Sequence, residues 1–179
     1  FLIISGDSAC GFGVSKEGFL ISLHWGGALH RVDELPEPEE LQSHRHCPPQ
    51  RNSLFRQEYP GWGGEFYSEP ALKAEFPGGV RNCVLKYLRH QLADDRSQLT
   101  VILGDPDYPL EAALVYKPVG DGIIERHAII SNLGGQPVIL NSVMSAVFHP
   151  PYNDHAPKRL SHISGRWGKE YMIERQEIN

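Results

Sequence analysis

Aromatic and acidic side chains are concentrated in residues 58–67, which hold four aromatic residues, three glycines and two carboxylates. Aromatic rings stack on the apolar faces of sugar rings, and carboxylates accept hydrogen bonds from sugar hydroxyl groups. The pattern therefore predicts a flexible carbohydrate-binding loop, with Trp62, Phe66 and Tyr67 as the stacking platform. The same composition also suits aromatic residues that simply close the end of a β-sandwich.

Other carboxylates have the residue types of a general acid/base pair, which glycoside cleavage needs roughly 5–10 Å apart. They lie in residues 37–40, 94–95 and 105–107. Each group is explained more simply as a solvated turn. His127 beside Glu125 is interpreted as a cross-strand pair in preference to a catalytic base.

Metal and cofactor chemistry has little support in the sequence. Residues 44–47 read His-Arg-His-Cys, but no second ligand pair follows at zinc-finger spacing, so a polar loop is the simpler interpretation. No phosphate-binding or dinucleotide-binding motif is present, and we expect no cofactor and no metal. Cys10, Cys47 and Cys83 are odd in number and widely spaced, which favours a reducing, cytoplasmic location over a disulfide framework.

The overall composition excludes two classes of partner. Seventeen basic and 22 acidic residues give a net charge of −5 over 179 residues, which disfavours binding to nucleic acid. No apolar run is long enough to span a membrane.

The elements that must position these residues are predicted to be short strands. Turn signals recur every 8 to 14 residues, no helix is well capped, and residues 110–116 alternate between apolar and polar. We expect an all-β antiparallel sandwich, with a hairpin turning at residues 16–18 and a long irregular loop at about 26–58. Further strands are predicted at 143–148 and at 165–171, the latter with a basic side chain packed along Trp167.

Ordered sequence blocks resemble the amino-terminal domain of glycoside hydrolase family 36 α-galactosidases. The blocks are Leu23-His24-Trp25-Gly26, Gln57-Glu58-Tyr59-Pro60-Gly61-Trp62-Gly63, Glu69-Pro70-Ala71-Leu72, Ser164-Gly165-Arg166-Trp167-Gly168-Lys169-Glu170 and Ile173-Glu174-Arg175. Gly104-Asp105, Pro109-Leu110-Glu111 and Ile124-Glu125-Arg126 also stand in family order. The resemblance extends over nearly the whole chain.

The resemblance implies a fold and an activity. Residues 1–179 would form the first part of a β-supersandwich of the galactose-mutarotase type, which precedes a catalytic barrel of the same polypeptide. The barrel of such a retaining enzyme supplies both catalytic aspartates, and neither of its motifs occurs here. The resemblance therefore implies no catalytic residue in this chain, an inactive fragment, and a parent enzyme that releases terminal α-D-galactosyl groups.

The resemblance also implies a shared sugar site in a homo-oligomer, a tetramer in some members, where loops of this domain reach a neighbouring subunit. Asp33 and Arg51 are the residues that best match the sugar-binding aspartate and arginine of the family's long loop. The family pattern Gly-Asp-aromatic-Arg is here Gly64-Glu65-Phe66-Tyr67, so Glu65 keeps the charge and Tyr67 replaces the arginine. The alternatives are a freestanding carbohydrate-binding module and a mutarotase-like epimerase that would use Glu125 and His127.

Overall fold

The described part of the chain is built from short antiparallel strands. The computed structural model describes residues 1–41, 56–64, 66, 68–149 and 158–178. Within these ranges it forms eleven strands: β1 (Leu2–Ser5), β2 (Ser8–Val14), β3 (Leu20–Gly27), β4 (Leu72–Glu75), β5 (Lys86–Leu92), β6 (Leu99–Gly104), β7 (Leu110–Gly120), β8 (Ile123–Asn132), β9 (Ile139–Val143), β10 (Lys158–Arg166) and β11 (Lys169–Ile178). The prediction of an all-β protein is confirmed.

The strands pair into four antiparallel sheets. β1, β2 and β3 form one sheet, and β5 to β8 form a four-stranded meander in which each strand pairs with the next. β4 and β9, which precede and follow the meander in sequence, pair with each other, and β10 pairs with β11 as a separate hairpin. These pairings agree with the predicted antiparallel sandwich.

The main core lies between the three-stranded sheet and the meander. Phe12 of β2 and Tyr116 of β7 are both buried, with ring centroids 4.8 Å apart. Leu72 and Ala74 of β4 belong to the same apolar cluster. Burying one large apolar side chain stabilises a fold by about 1.5–3 kcal/mol, so this shared cluster is what holds the sheets together.

Turn chemistry follows the sequence prediction closely. Gly18 has φ +87° and ends the turn between β2 and β3, and Gly122 has φ +79° between β7 and β8. This left-handed conformation is accessible to glycine without the steric cost that a Cβ imposes. The predicted hairpin at residues 16–18 is therefore confirmed.

Two predicted strands are only partly present: Val143 alone of residues 143–148 lies in a strand, and residues 165–171 are divided between β10 and β11. Residues 144–149 leave the ladder after β9, because this segment turns inward and places Val147 and His149 against other elements. Residues 165–171 contain a bulge and the turn of the β10–β11 hairpin. Trp167 stands at that turn with 97% of its surface exposed, so no basic side chain packs along it.

The described part of the long loop holds no strand after Gly27. Residues 28–41 contain one short 3-10 turn, Val32–Glu34, and otherwise irregular chain. The loop is fixed against β2, where Leu35 fills the space beside Gly11 and Pro38 the space beside Gly13. No helix in the described ranges is long and apolar enough to cross a membrane.

Candidate functional site

Segment 57–64, the first part of the predicted carbohydrate loop, is anchored to the sandwich. The backbone of Glu58 donates to Leu20 of β3 at 2.8 Å, and Ala71 donates to Pro60 at 2.9 Å. Tyr59 is buried, and its hydroxyl donates to the Met144 carbonyl at 2.8 Å. Tyr59 therefore belongs to the core and is not exposed for stacking on a sugar.

Two glycines let this segment pass directly over the chain before β5. A Cβ on Gly61 would lie 2.3 Å from the Cys83 carbonyl oxygen, and one on Gly63 would lie 2.5 Å from the Cys83 nitrogen. Real Cβ atoms do not approach backbone so closely. The lack of a Cβ at both glycines thus lets the two backbone segments approach closely. The backbone nitrogen of Cys83 donates to the Trp62 carbonyl at 3.2 Å.

Trp62 is partly buried and already has cationic neighbours. The Lys73 ammonium lies 5.7 Å from its ring centroid and the Arg81 guanidinium 5.2 Å. Arg81 is held in turn by Glu75, whose Oε2 it contacts at 2.9 Å. A sugar stacked on Trp62 would have to share the ring with these cations or displace them.

The remaining predicted rim residues are not brought together in the described structure. Asp33 is exposed in the 3-10 turn and contacts Arg31 at 3.1 Å. Phe66 is partly exposed. Within the described ranges, no hydrogen bond, ion pair or aromatic contact joins Asp33, Trp62 and Phe66. Arg51, Glu65 and Tyr67 lie outside the described residues.

Two of the other carboxylate candidates, Asp95 and Asp105, have structural roles. Asp105 accepts hydrogen bonds from the backbone nitrogens of Val84, Asp107 and Tyr108 at 2.7–3.0 Å, and Asp95 accepts from Ser97. These contacts are those of turn-forming aspartates. Glu125 and His127 lie 3.8 Å apart on the exposed outer face of β8, and neither lines the cavity between the two large sheets. Their position gives no support to an epimerase site.

A buried ionic cluster centred on Glu58 was not predicted from the sequence. Oε1 of Glu58 lies 3.1 Å from Nη1 of Arg126 and accepts a hydrogen bond from the Tyr116 hydroxyl at 2.9 Å. Nη2 of Arg126 donates to the Glu58 backbone carbonyl at 3.0 Å. The cluster joins β7 and β8 to the start of segment 57–64.

The environment of this cluster shifts several pKa values. Burial raises the pKa of Glu58, while the Arg126 guanidinium and the Tyr116 hydrogen bond oppose that shift. Burial raises the pKa of the Tyr116 hydroxyl and that of the Cys10 thiol, the latter to about 12. Both Tyr116 and Cys10 are thus protonated at neutral pH.

The cluster forms the floor of a cavity of about 70 Å³ between the two large sheets. Trp25 of β3 and Phe148 stand at its mouth, with ring centroids 4.8 Å apart and with 47% and 61% of their surfaces exposed. The other lining residues are Cys10, Ser22, Ile124, Val147 and His149.

One sequence signal could have located this cavity. Alternate residues of β8, namely Ile124, Ala128 and Ile130, pack towards the core, and Arg126 shares their inward face. A cation at an inward position of an apolar strand face needs a buried partner.

Among the described residues, no group of three or more histidine, cysteine or acidic side chains is placed to hold a metal ion. The histidines and cysteine of 44–47 lie outside that range.

Comparison with known proteins relates most of the chain to larger proteins. A model of the glycosyl hydrolase family 36 N-terminal domain matches residues 18–179. Alpha-galactosidase AgaA of Geobacillus stearothermophilus is 25% identical over 187 aligned positions, which cover 91% of this chain and 25% of that protein.

Solved structures show the same fold. The crystal structure of the G. stearothermophilus enzyme matches all of this chain and 28% of its own, with a TM-score of 0.77 and 23% identity. An α-galactosidase from Lactobacillus brevis matches with a TM-score of 0.79 and 18% identity, over 27% of its chain. The present chain therefore spans about a quarter of the length of these relatives.

Proposed function

This chain belongs to glycosyl hydrolase family 36 through its N-terminal domain, and we propose that it is the non-catalytic N-terminal part of a retaining α-galactosidase. The observation that carries the proposal is the family match over residues 18–179 in a chain about a quarter as long as relatives named α-galactosidases. The parent enzyme would remove terminal α-D-galactosyl groups from galacto-oligosaccharides. Its catalytic barrel would lie in the remaining polypeptide.

The described carboxylates support a non-catalytic role. A retaining glycosidase places two carboxyl groups about 5–5.5 Å apart at the scissile bond. Glu58 is the one carboxylate that lines the cavity described here, and Arg126 and Tyr116 already engage it. A single, fully engaged carboxylate cannot serve as both nucleophile and acid.

Hydrolysis of an aryl α-galactoside tests whether catalysis requires the polypeptide beyond these 179 residues. We expect turnover by the complete protein and none by residues 1–179 after repeated purification. Glu58→Gln in the short chain is the matched control, because any weak activity that disappears in this variant would originate in the chain itself. Such activity would overturn the non-catalytic assignment.

We further propose that this domain supplies the rim of a sugar site shared between subunits of a homo-oligomer, with Asp33, Arg51, Trp62, Glu65, Phe66 and Tyr67 as candidates. Asp33 is exposed on a segment fixed to β2, which suits a residue that must reach another surface. In the complete protein, Asp33→Asn should raise KM by about tenfold with little change in kcat. Glu34→Gln is the matched control, because Glu34 is adjacent and also contacts Arg31. The proposal would be contradicted if both substitutions changed KM equally, or if light scattering showed the complete protein to be a monomer.

A cytoplasmic location also remains a proposal. Cys10 and Cys83 are free thiols in the described structure, which suits a reducing compartment. Cell fractionation of the complete protein tests it, and recovery from the medium would contradict it.

A further inference from the structure

The β10–β11 hairpin lies apart from the core of the domain. Its two strands pair with each other and with no other strand of the described chain. Among residues 159–177 no side chain is buried, whereas β2, β4 and β7 each contribute buried residues to the core. An isolated two-stranded hairpin is at best marginally stable in water. Within the described ranges, the hairpin therefore lacks the packing that would stabilise it.

Apolar side chains occupy both faces of this hairpin. Ile163 and Ile173 are directly opposite each other, with 67% and 62% of their surfaces exposed. Leu160 and Met172 lie on the other face, because successive side chains of a strand point to opposite sides, and both are also exposed. Exposed apolar surface that is shared by neighbouring residues marks a site of interaction. Since the two faces point away from each other, the hairpin is suited to enclosure by protein on both sides.

The turn of the hairpin has the composition of a binding surface. Trp167 is almost fully exposed, and Arg166 and Lys169 are paired directly across the strands beside it. Like charges at such a position repel each other, and no described carboxylate forms an ion pair with either side chain. Tryptophan and arginine are among the residues that most often dominate the energy of protein interfaces. The turn therefore fits a partner that has a pocket for the indole ring and acidic groups around it.

The backbone beside the turn is strained. Tyr171 has φ +59°, a left-handed conformation that is an outlier for a bulky side chain. Such a conformation persists where the surrounding structure compensates for it. The side chain of Tyr171 is 83% exposed, so it makes few compensating contacts in the described part of this domain. Contacts from outside these 179 residues would supply the compensation.

The remaining polypeptide of the complete protein is the partner that suits these features. The chain covers about a quarter of the length of its relatives, so most of a complete protein of that length lies outside it. β11 ends at Ile178, and polypeptide that follows Asn179 therefore starts beside the hairpin. A tethered partner is present at high effective concentration, whereas a second copy must lose translational and rotational freedom to bind. A two-fold contact with a second copy would also leave one of the two apolar faces uncovered.

We propose that the β10–β11 hairpin docks this domain onto the polypeptide that follows Asn179 in the complete protein. Trp167 and the pair of Ile163 and Ile173 are the buried anchors, and acidic side chains of that polypeptide face the two cations of the turn. This assignment rests on the proposed function, which supplies the remaining part of a glycosidase as the partner. The hairpin is then buried in the complete protein, although it is exposed in these 179 residues.

Photo-crosslinking in the complete protein identifies the partner. p-Benzoylphenylalanine is placed at position 167, where it keeps an aromatic ring, and the protein is irradiated. The expected product migrates as one polypeptide, and mass spectrometry joins the residue-167 peptide to a peptide from beyond residue 179. A product of twice the mass would assign the turn to a second copy and overturn the proposal. A crosslink only within residues 1–179, or no crosslink at all, would also overturn it.

The turn between β2 and β3 provides the matched control. Glu17 is exposed at this turn, but β2 and β3 are already packed in the core. The same label at position 17 should give little product with the polypeptide beyond residue 179. Equal yields from positions 17 and 167 would show that a label on any exposed turn reacts with that polypeptide, which would contradict a specific docking element.

Hydrogen exchange of the complete protein tests the anchors. Amide protons of residues 159–177 should be protected, and Ile173→Asp should accelerate their exchange by roughly tenfold or more, because a charge replaces a buried side chain. Ile139→Asp is the matched control and should leave this exchange unchanged, since Ile139 of β9 is similarly exposed in this domain. An unprotected hairpin, or equal effects of the two substitutions, would overturn the proposal. Crosslinking at position 167 needs neither variant, so misfolding of Ile173→Asp does not remove the test.

Hydrolysis of the aryl α-galactoside is measured separately, in the unsubstituted complete protein. Turnover together with a crosslink between two copies would overturn the docking proposal and leave the proposed function standing. A crosslink within one polypeptide without turnover would support the docking proposal and count against the proposed function.

Discussion

Arg126 holds both the side chain and the main chain of Glu58. Nη1 lies 3.1 Å from the carboxylate oxygen Oε1, and Nη2 donates to the backbone carbonyl at 3.0 Å. One side chain of β8 thus fixes the position and the orientation of the residue that begins the turn through Tyr59 and Pro60. The ion pair links two segments that are distant in the sequence.

Arg126→Met should be strongly destabilising, because it leaves the Glu58 carboxylate buried without its counter-charge. Removing one partner of a buried ion pair costs about 3–5 kcal/mol. Urea denaturation of the variant and the original chain measures the difference in the free energy of unfolding. The double variant Glu58→Gln/Arg126→Met should recover part of the loss, since the uncompensated charge is then absent.

The exposed pair of Arg89 and Glu111 is the control for this prediction. Its two hydrogen bonds are 2.9 and 3.1 Å long, so its geometry is as good as that of the buried pair. Exposed ion pairs contribute little because water screens them. Arg89→Met should therefore change stability far less than Arg126→Met. Equal effects would show that burial does not govern the strength of the Glu58–Arg126 contact.

Gly61→Ala should disrupt the crossing of segment 57–64 over Cys83. The new methyl group would lie 2.3 Å from the Cys83 carbonyl oxygen and 3.0 Å from its carbonyl carbon, and both are backbone atoms that cannot rotate away. We expect the free energy of unfolding to fall by about 1–3 kcal/mol, as it does in an overpacked core. Gly135→Ala is the matched control, because a Cβ there meets nothing within 4 Å. Thermal unfolding of both variants tests this, and a Gly61→Ala protein as stable as the control would contradict it.

His149 should make the fold sensitive to mild acid. Burial, with a smaller contribution from the Arg56 and Arg126 charges, lowers its pKa below the ordinary value of 6.5, while the hydrogen bond to Gln57 opposes the shift. The unfolded chain therefore binds a proton at His149 more readily than the folded chain does. The stability due to the neutral ring is complete above pH 6.5 and falls as the pH drops below that value.

Measuring the free energy of unfolding from about pH 8 to about pH 5 tests this dependence. His149→Gln keeps a donor for the Gln57 carbonyl but removes the titrating ring, so its slope should be smaller. His127→Gln, on the exposed face of β8, is the surface control for the substitution. A slope that is identical in all three proteins would rule out a role for His149.

Local sequence signals predicted the local structure well. The alternation in residues 110–116 and the glycine-containing turns at Gly18 and Gly122 correspond to β7 and to observed turns. These features depend on neighbours in sequence, which is why they are readable without a structure. The resemblance likewise identified the family that the comparisons show.

Features that depend on distant residues were not readable in the same way. Trp62 and Tyr59 belong to one aromatic segment, yet one meets cations and the other enters the core, because the glycine between them lies against Cys83. The cavity is assembled from β2, β3, β7, β8 and the two segments around Glu58 and His149. No local pattern contains that combination. The inward position of Arg126 indicated only that a buried partner must lie beside it.

The pairing of β4 with β9 has a consequence for the order in which the chain folds. Glu75 pairs with Ile139, so the entire β5–β8 meander lies inside the loop that this contact closes. Closing a long loop costs entropy before any contact compensates it, whereas each hairpin of the meander closes a short one. We expect amide protons of β6 and β7 to gain protection before those of β4 in pulse-labelling during refolding, and the reverse order would refute this sequence of events.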